Sequence, residues 1–106
     1  MKKINYENLV VFTSGVLKSA GLDDYSLMAV VTGLCETSLR GVDSHGIRLL
    51  EHYVNSALSG RKNPKPNYQF DRNFPSMGHL NADDAFGHAA GMKAIDYGME
   101  MAAEQG

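Results

Sequence analysis

The stretch that decides the fold runs from residue 23 to residue 41 and reads DDYSLMAVVTGLCETSLRG. Its apolar residues recur at i, i+3, i+4 and i+7, the spacing of one face of an α-helix; they are Leu27, Met28, Val31, Leu34, Cys35 and Leu39. Asp23 or Asp24 is the expected N-cap, and Gly41 is the expected end. The segment therefore predicts an amphipathic helix that buries one side against the rest of the chain.

Similar patterns flank this helix on both sides. Between Asn5, a suitable N-cap, and Gly21, a helix stop, the apolar residues again follow helical spacing; they are Leu9, Val10, Phe12, Val16, Leu17 and Ala20. A third helix is predicted to begin around His45 and to end at Gly60. Because the connections are short, we expect the helices to be antiparallel neighbours.

A change of pattern follows the segment Asn63-Pro64-Lys65-Pro66, whose two prolines can only be extended and so mark a boundary. Beyond it, Tyr68 and Phe70 alternate with polar residues, which predicts a half-buried strand. Residues 71–75, with the sequence DRNFP, predict a turn, and residues 76–80 predict the partner strand.

A last helix is predicted after residues 81–84, which offer Asn and Asp as N-caps. Asp83 and Asp84 are adjacent in sequence and do not face each other, so a capping role is expected for them in place of catalysis by a pair of carboxylates. Its apolar face is formed by Phe86, Ala89, Ala90, Ala94, Ile95, Met99, Ala102 and Ala103. Three glycines, at positions 87, 91 and 98, interrupt this helix and cost roughly 1 kcal/mol each relative to alanine. We therefore expect another backbone to approach this helix very closely.

These elements predict a mixed α/β fold. A helical N-terminal subdomain is expected over residues 1–62, and residues 63–106 are expected to begin a mixed αβ domain. Two short strands and one helix make a poor sheet by themselves, and a helix that ends at Gly106 should be followed by a strand. We therefore expect an incomplete fragment of a larger fold, with the second domain truncated.

Composition argues against several classes of function. Ten basic and twelve acidic residues give a formal net charge of -2 with no basic stripe, so nucleic acid is not an expected partner. No apolar stretch approaches the ~18 residues of a membrane helix, and no apolar leader follows the N-terminus, so we expect no membrane association and a cytoplasmic location. The single cysteine, Cys35, is expected to be buried and unreactive. The spacing of His52, His79 and His88 does not predict a metal site.

The segment Arg40-Gly41-Val42-Asp43-Ser44-His45-Gly46 carries the candidate chemistry. An imidazole with a pKa near about 6.5 can exchange a proton at neutral pH, which makes His45 a candidate general acid or base. Ser44 is either a helix cap or a ligand for a substrate oxygen. Arg48 is either a solvated side chain or a clamp for a carboxylate, and Tyr53 is either a core-edge tyrosine or a residue whose hydroxyl reaches the pocket.

Several separated signals also occur together in one known family. They are the string Arg40 to Ile47, the downstream Tyr53, the spacing of Gly60 and Asn63-Pro64, and the segment Asp83 to Ala90. In these features the chain, over roughly residues 5 to 106, resembles the malate/L-lactate dehydrogenase family, which is distinct from the Rossmann-type lactate and malate dehydrogenases. The family also includes ureidoglycolate and sulfolactate dehydrogenases, diketogulonate reductase and cyclic-imine reductases.

The resemblance implies a homodimeric oxidoreductase that uses NAD or NADP to interconvert a small 2-hydroxy acid and its 2-keto acid. The histidine of the family's Ser-His-Gly motif falls on His45, with Ser44, Arg48 and Tyr53 as substrate-binding candidates. Many relatives place an arginine where this chain has Leu49, one residue after Arg48. The cofactor would be bound mainly by sequence beyond Gly106, and the isolated 106-residue chain would be inactive.

Two other functions remain open. The chain is alternatively a non-catalytic helical interaction module or a remnant fragment that acts through its apolar faces. A phosphate-binding domain is disfavoured, because Gly78, Gly87 and Gly91 have neither the dinucleotide-binding nor the P-loop spacing.

Overall fold

A computed structural model describes residues 5–41 and 46–105. The first helix, α1, spans Tyr6–Ser19, and the side chain of Asn5 accepts a hydrogen bond from the backbone N–H of Glu7 at 2.8 Å. Gly21 follows with a φ of +96°, a left-handed conformation that suits glycine. The predicted N-cap and the predicted stop of this helix are both confirmed.

The second helix, α2, spans Asp24–Leu39 and lies at the centre of the fold. Asp23 is its N-cap, since its Oδ1 accepts a hydrogen bond from the N–H of Ser26 at 2.8 Å, which decides between the two aspartates. The helix packs against both α1 and the last helix, so its buried residues extend beyond one face: Ser26, Ala29, Val30, Val31, Leu34 and Cys35. Met28 and Leu39, which the pattern assigned to the apolar face, are 45% and 62% exposed.

The third helical segment begins as one turn of 3-10 helix at Ile47–Leu49 and continues as α3, Leu50–Leu58. Gly60 follows with a φ of +79°, as expected for the residue that ends the helix. The predicted start at His45 lies outside the described residues.

An antiparallel hairpin follows, formed by β1 at Gln69–Phe74 and β2 at Met77–Asn81. The predicted turn over residues 71–75 is wrong: Asp71 pairs with His79 and Arg72 with Gly78, and the chain reverses only at positions 75 and 76. Most residues of the hairpin are exposed on both faces, so β1 has no buried face that would require apolar residues at alternate positions. Polar residues such as Asp and Asn can therefore be part of this strand.

The last helix, α4, spans Gly87–Gln105. The predicted capping by Asp83 and Asp84 is not what their side chains do. Both residues have a left-handed backbone, with φ of +55° and +57°, and the Asp83 carboxylate accepts hydrogen bonds from the Asn63 side chain and the Asn67 N–H, both at 2.9 Å. The segment before α4 is thus fastened to the extended chain that follows α3.

The expected close backbone approach to α4 is also wrong within the described chain. A Cβ added at Gly87, Gly91 or Gly98 would meet nothing within 4 Å. Crowded glycines occur elsewhere, at Gly33, Gly46 and Gly78. Within the described chain, the glycines of α4 are therefore not the positions where a side chain would be too large.

One hydrophobic core joins α1, α2, α3 and the residue just before α4. Its largest fully buried apolar side chains are Phe86, Leu17, Leu34 and Val30. Phe86, which lies just before α4, packs in the same cluster as residues of α1, α2 and α3. The division into domains at residues 62 and 63 stays a prediction. Within residues 5–41 and 46–105, no helix is both long and apolar enough to cross a membrane.

Candidate functional site

The two residues at the centre of the predicted site, Ser44 and His45, lie outside the described residues, so their roles stay predictions. The flanks of the segment are described. On the N-terminal side, Gly41 has a φ of +86° and its N–H donates to the carbonyl of Ser38 at 3.0 Å. On the C-terminal side, Gly46 is buried.

Gly46 lies directly against the last turns of α2. A Cβ on this residue would lie 2.3 Å from the Ser38 Oγ, 2.9 Å from the Ser38 backbone N and 3.0 Å from the Leu34 carbonyl oxygen. The next residue, Ile47, donates its N–H to the Ser38 Oγ at 2.8 Å. The chain that leaves the Ser-His-Gly motif is therefore held against α2 by close packing and by a hydrogen bond.

Arg48 lies in the 3-10 turn and its side chain is exposed. Among the described residues the ion pair found is Arg72 with Glu104, so Arg48 is not tied to a carboxylate there. Its neighbour Leu49 is partly buried and packs against the core. The exposed guanidinium is thus the cation nearest in sequence to His45 on this side of the motif.

Tyr53 is half-buried on α3, and its ring is part of an aromatic cluster. It packs edge-on against Phe86, with ring centroids 5.7 Å apart, and edge-on against His88, at 5.5 Å. The ring of His52 lies 5.6 Å away in a tilted arrangement. The ring of Tyr53 therefore contributes to packing at the core edge, and substrate contact through its hydroxyl stays a prediction.

His88 completes this cluster at the start of α4. A Cβ added at Gly33 would lie 2.3 Å from the His88 Cδ2, so the imidazole packs directly against the backbone of α2 at this glycine. Its Nδ1 is buried and has no hydrogen-bond partner among residues 5–41 and 46–105, and burial lowers the pKa of the imidazole below its ordinary value. Burial therefore favours the neutral form of the His88 imidazole, which packs between α2 and Tyr53.

Two cavities among the described residues do not suit a nicotinamide dinucleotide. The larger, of about 280 Å³, lies between α1 and α2 and is lined by Val10, Ser14, Asp24, Leu27, Met28, Val31 and Thr32. Its one charged residue is a carboxylate, which would repel a pyrophosphate. The smaller, of about 140 Å³, includes Arg72, but this guanidinium is paired with Glu104.

The structure therefore places unforeseen partners against Gly46 and Ile47, which follow the predicted His45, and against His88. These contacts of Ser38, Gly33 and Leu34 were not predicted from the sequence. The contact of Ser38 could have been predicted, because a small residue with a hydroxyl lies in the last helical turn before the Arg40 to Gly46 segment. Gly33 carried no signal, because its contact with His88 joins residues far apart in sequence.

Comparisons with known proteins agree with one another. The chain is 34% identical over 104 residues to a malate dehydrogenase of Pyrococcus abyssi, and the aligned part is 98% of this chain and 29% of that protein. It is 28% identical to an NAD(+)-dependent ureidoglycolate dehydrogenase of Escherichia coli K12, over 98% of this chain and 30% of that protein.

A solved structure has the same fold over this region. The malate dehydrogenase of Pyrococcus horikoshii OT3 superimposes with a TM-score of 0.92 and 28% identity, over 99% of this chain and 30% of that structure. The chain thus spans about 30% of the length of the relatives it matches. The family model for malate/L-lactate dehydrogenase matches residues 4–106, and the chain belongs to that family.

Proposed function

We propose that this chain is the N-terminal portion of an NAD(P)-dependent oxidoreductase that interconverts a small 2-hydroxy acid and its 2-keto acid. The observation that carries the proposal is the family match over residues 4–106, which includes the whole Arg40 to Ile47 string. The relatives are named for malate, ureidoglycolate and L-sulfolactate, so the substrate class is a small acid with a hydroxyl next to its carboxylate.

In this proposal His45 is the general acid and base. Reduction of a 2-keto acid produces an oxygen that must receive a proton, and oxidation of the 2-hydroxy acid must remove one from the same oxygen. Imidazole performs both transfers near neutral pH because its ordinary pKa is about 6.5. Ser44 binds a substrate oxygen beside it.

Arg48 is the proposed clamp for the substrate carboxylate. Its guanidinium is exposed, whereas Leu49, at the position where many relatives carry arginine, packs against the core. A bidentate pair between Arg48 and a carboxylate would orient the keto carbon. In the complete enzyme, Arg48→Leu should raise KM for the keto acid and leave KM for the cofactor unchanged; an unchanged KM for both would place the clamp elsewhere.

The cofactor, NAD or NADP, is proposed to bind mainly outside the described residues; in support, the cavity between α1 and α2 has no cation in its lining, and the Arg72 of the smaller cavity is paired with Glu104. Titration calorimetry on the isolated chain should therefore detect no binding of either nucleotide. Micromolar affinity would overturn this assignment. A homodimer and a cytoplasmic location complete the proposal and stay predictions.

The decisive experiment replaces His45 in the complete enzyme. His45→Ala should lower kcat by roughly 10²-fold or more, the usual scale for a lost general acid, with an unchanged Tm. His79→Gln is the matched control, because His79 is an exposed histidine of β2. Turnover by His45→Ala equal to that of the control would refute the proposed role.

The alternative, a helical interaction module, is favoured by the exposed apolar side chains of α1 and α4. Val11 and Phe12 are 71% and 61% exposed, and Ile95 and Met99 are 62% and 67% exposed. A complete protein that turns over no 2-hydroxy acid with either nucleotide, yet associates through these surfaces, would support this alternative.

A further inference from the structure

The hydroxyl of Ser38 makes an unusual contact for a serine inside a helix. Serine and threonine within helices commonly donate to the carbonyl four residues earlier. Thr37 does so, with its Oγ1 2.7 Å from the Gly33 carbonyl oxygen. Ser38, one residue later, instead accepts the N–H of Ile47, nine residues along the chain, at 2.8 Å. Its side chain therefore joins α2 to the segment that follows the Ser-His-Gly motif.

A second contact fixes the same place. The close approach of Gly46 to α2 leaves no space for a Cβ, because the nearest atoms include the backbone N of Ser38 and the carbonyl oxygen of Leu34, at 2.9 and 3.0 Å. The backbone of α2 does not yield easily here, since Leu34 and Cys35 are 0% exposed in the core. The two residues after His45 thus contact α2, the α-helix with the most buried residues.

We propose that Ser38 is a positioning residue for His45, through its hydrogen bond to the Ile47 N–H. This inference rests on the proposed function of His45. Consecutive Cα atoms are about 3.8 Å apart, so restraint of Gly46 and Ile47 limits where the backbone of His45 can lie. A general acid must lie within hydrogen-bond reach of its oxygen, and a misplacement of ~1 Å can lower the rate about 10²-fold.

The first test uses the complete enzyme. Ser38→Ala removes the acceptor and should lower kcat about 10-fold or more while KM for the cofactor stays unchanged, since the nucleotide is proposed to bind elsewhere. Ser38→Thr keeps a hydroxyl oxygen and should restore most of the lost kcat. Thr37→Ala is the matched control, because it removes a hydroxyl that donates to the Gly33 carbonyl oxygen within α2.

The second test asks whether the effect passes through His45. Residues that act as one unit are non-additive, so Ser38→Ala should lower turnover no further when His45→Ala is already present. The same fold loss in both backgrounds would overturn the inference, as would a kcat for Ser38→Ala equal to that of Thr37→Ala. Wild-type turnover by His45→Ala alone would instead refute the proposed function.

A folding defect can be separated from a loss of positioning. If Ser38→Ala lowers the Tm so far that kcat cannot be measured, Ser38→Cys replaces it, because the thiol fills the place of the hydroxyl and its sulfur is only a weak acceptor. Loss of kcat in Ser38→Cys at an unchanged Tm, with rescue in Ser38→Thr, would support the inference. Full activity of Ser38→Cys would overturn it.

Discussion

Helices α2 and α4 have similar lengths, 16 and 19 residues, but very different surroundings. Six residues of α2 are buried, whereas in α4 only Ala89, in the first turn, is buried. Gly46 and Ile47, the two residues that follow His45, contact α2 at Ser38 and Leu34. The contrast teaches that the residues next to the predicted site pack against a helix buried in the core, whereas α4 is buried only at its start.

The largest expected effect tests this contrast in the core. Leu34 is 0% exposed on α2, so Leu34→Ala should lower the free energy of unfolding by about 2–5 kcal/mol, the usual range for a truncated core leucine. Ile95→Ala on α4 is the matched control, because Ile95 is 62% exposed and its truncation should change stability by less than ~0.5 kcal/mol. Urea denaturation of the two variants measures both values, and equal losses would contradict the contrast.

The glycines of the two helices provide the next test. Gly33→Ala places a methyl group where the His88 ring lies, with the Cδ2 at 2.3 Å, and should destabilise the fold by about 1–3 kcal/mol. Gly91→Ala meets nothing within 4 Å and should stabilise α4 by up to ~1 kcal/mol. The two changes are chemically identical, so opposite signs in urea denaturation can come only from their surroundings. Combining Gly33→Ala with His88→Ala should remove the clash.

The pH dependence of the free energy of unfolding tests the contact between His88 and Gly33 independently. Burial lowers the pKa of His88 in the folded chain below the ordinary 6.5. Above about pH 6.5 the imidazole is neutral in both states, and its packing is fully favourable. As the pH falls toward the folded pKa, the unfolded chain takes up a proton that the folded chain does not, so stability declines.

The measurement for His88 compares unfolding free energies at about pH 7.5 and about pH 5.5. The wild-type chain should lose more stability between these values than His88→Gln, which has no titrating ring. His79→Gln serves as the control, since His79 lies exposed on β2, and it should keep the wild-type pH dependence. An identical pH dependence in all three proteins would contradict the burial of the His88 imidazole.

Local signals predicted the helices well, because a cap acts within a few residues. Asn5 and Asp23 bond to the N–H groups of residues 7 and 26, so their roles can be derived from short segments of sequence. The hairpin turn could not be derived in this way. Its strands are largely exposed, so no alternation of apolar and polar residues indicates that Asp71 belongs to a strand and not to a turn.

The candidate site depends on contacts between distant residues, which no local pattern reveals. The requirement for glycine at position 33 comes from His88, and the requirement at position 46 comes from α2. The general acid itself was predicted from residue type and family resemblance, and its surroundings lie outside the described residues. Sequence therefore predicts chemistry for Arg40 to Ile47, and the structure shows what the C-terminal end of this segment contacts.

The smallest expected effect lies at the exposed end of α4, where Glu104 pairs with Arg72 of β1. The two side chains are 53% and 31% exposed, so solvent and salt screen their attraction. Glu104→Gln should therefore lower the free energy of unfolding by less than about 1 kcal/mol, and the difference should shrink further in 1 M salt. Arg72 also donates from its Nε to the Pro75 carbonyl oxygen at 3.2 Å, a bond that survives the substitution and keeps the hairpin turn in place. A loss as large as that of Leu34→Ala would mean that the far half of α4 is as firmly held as α2, and would remove the distinction between the two helices.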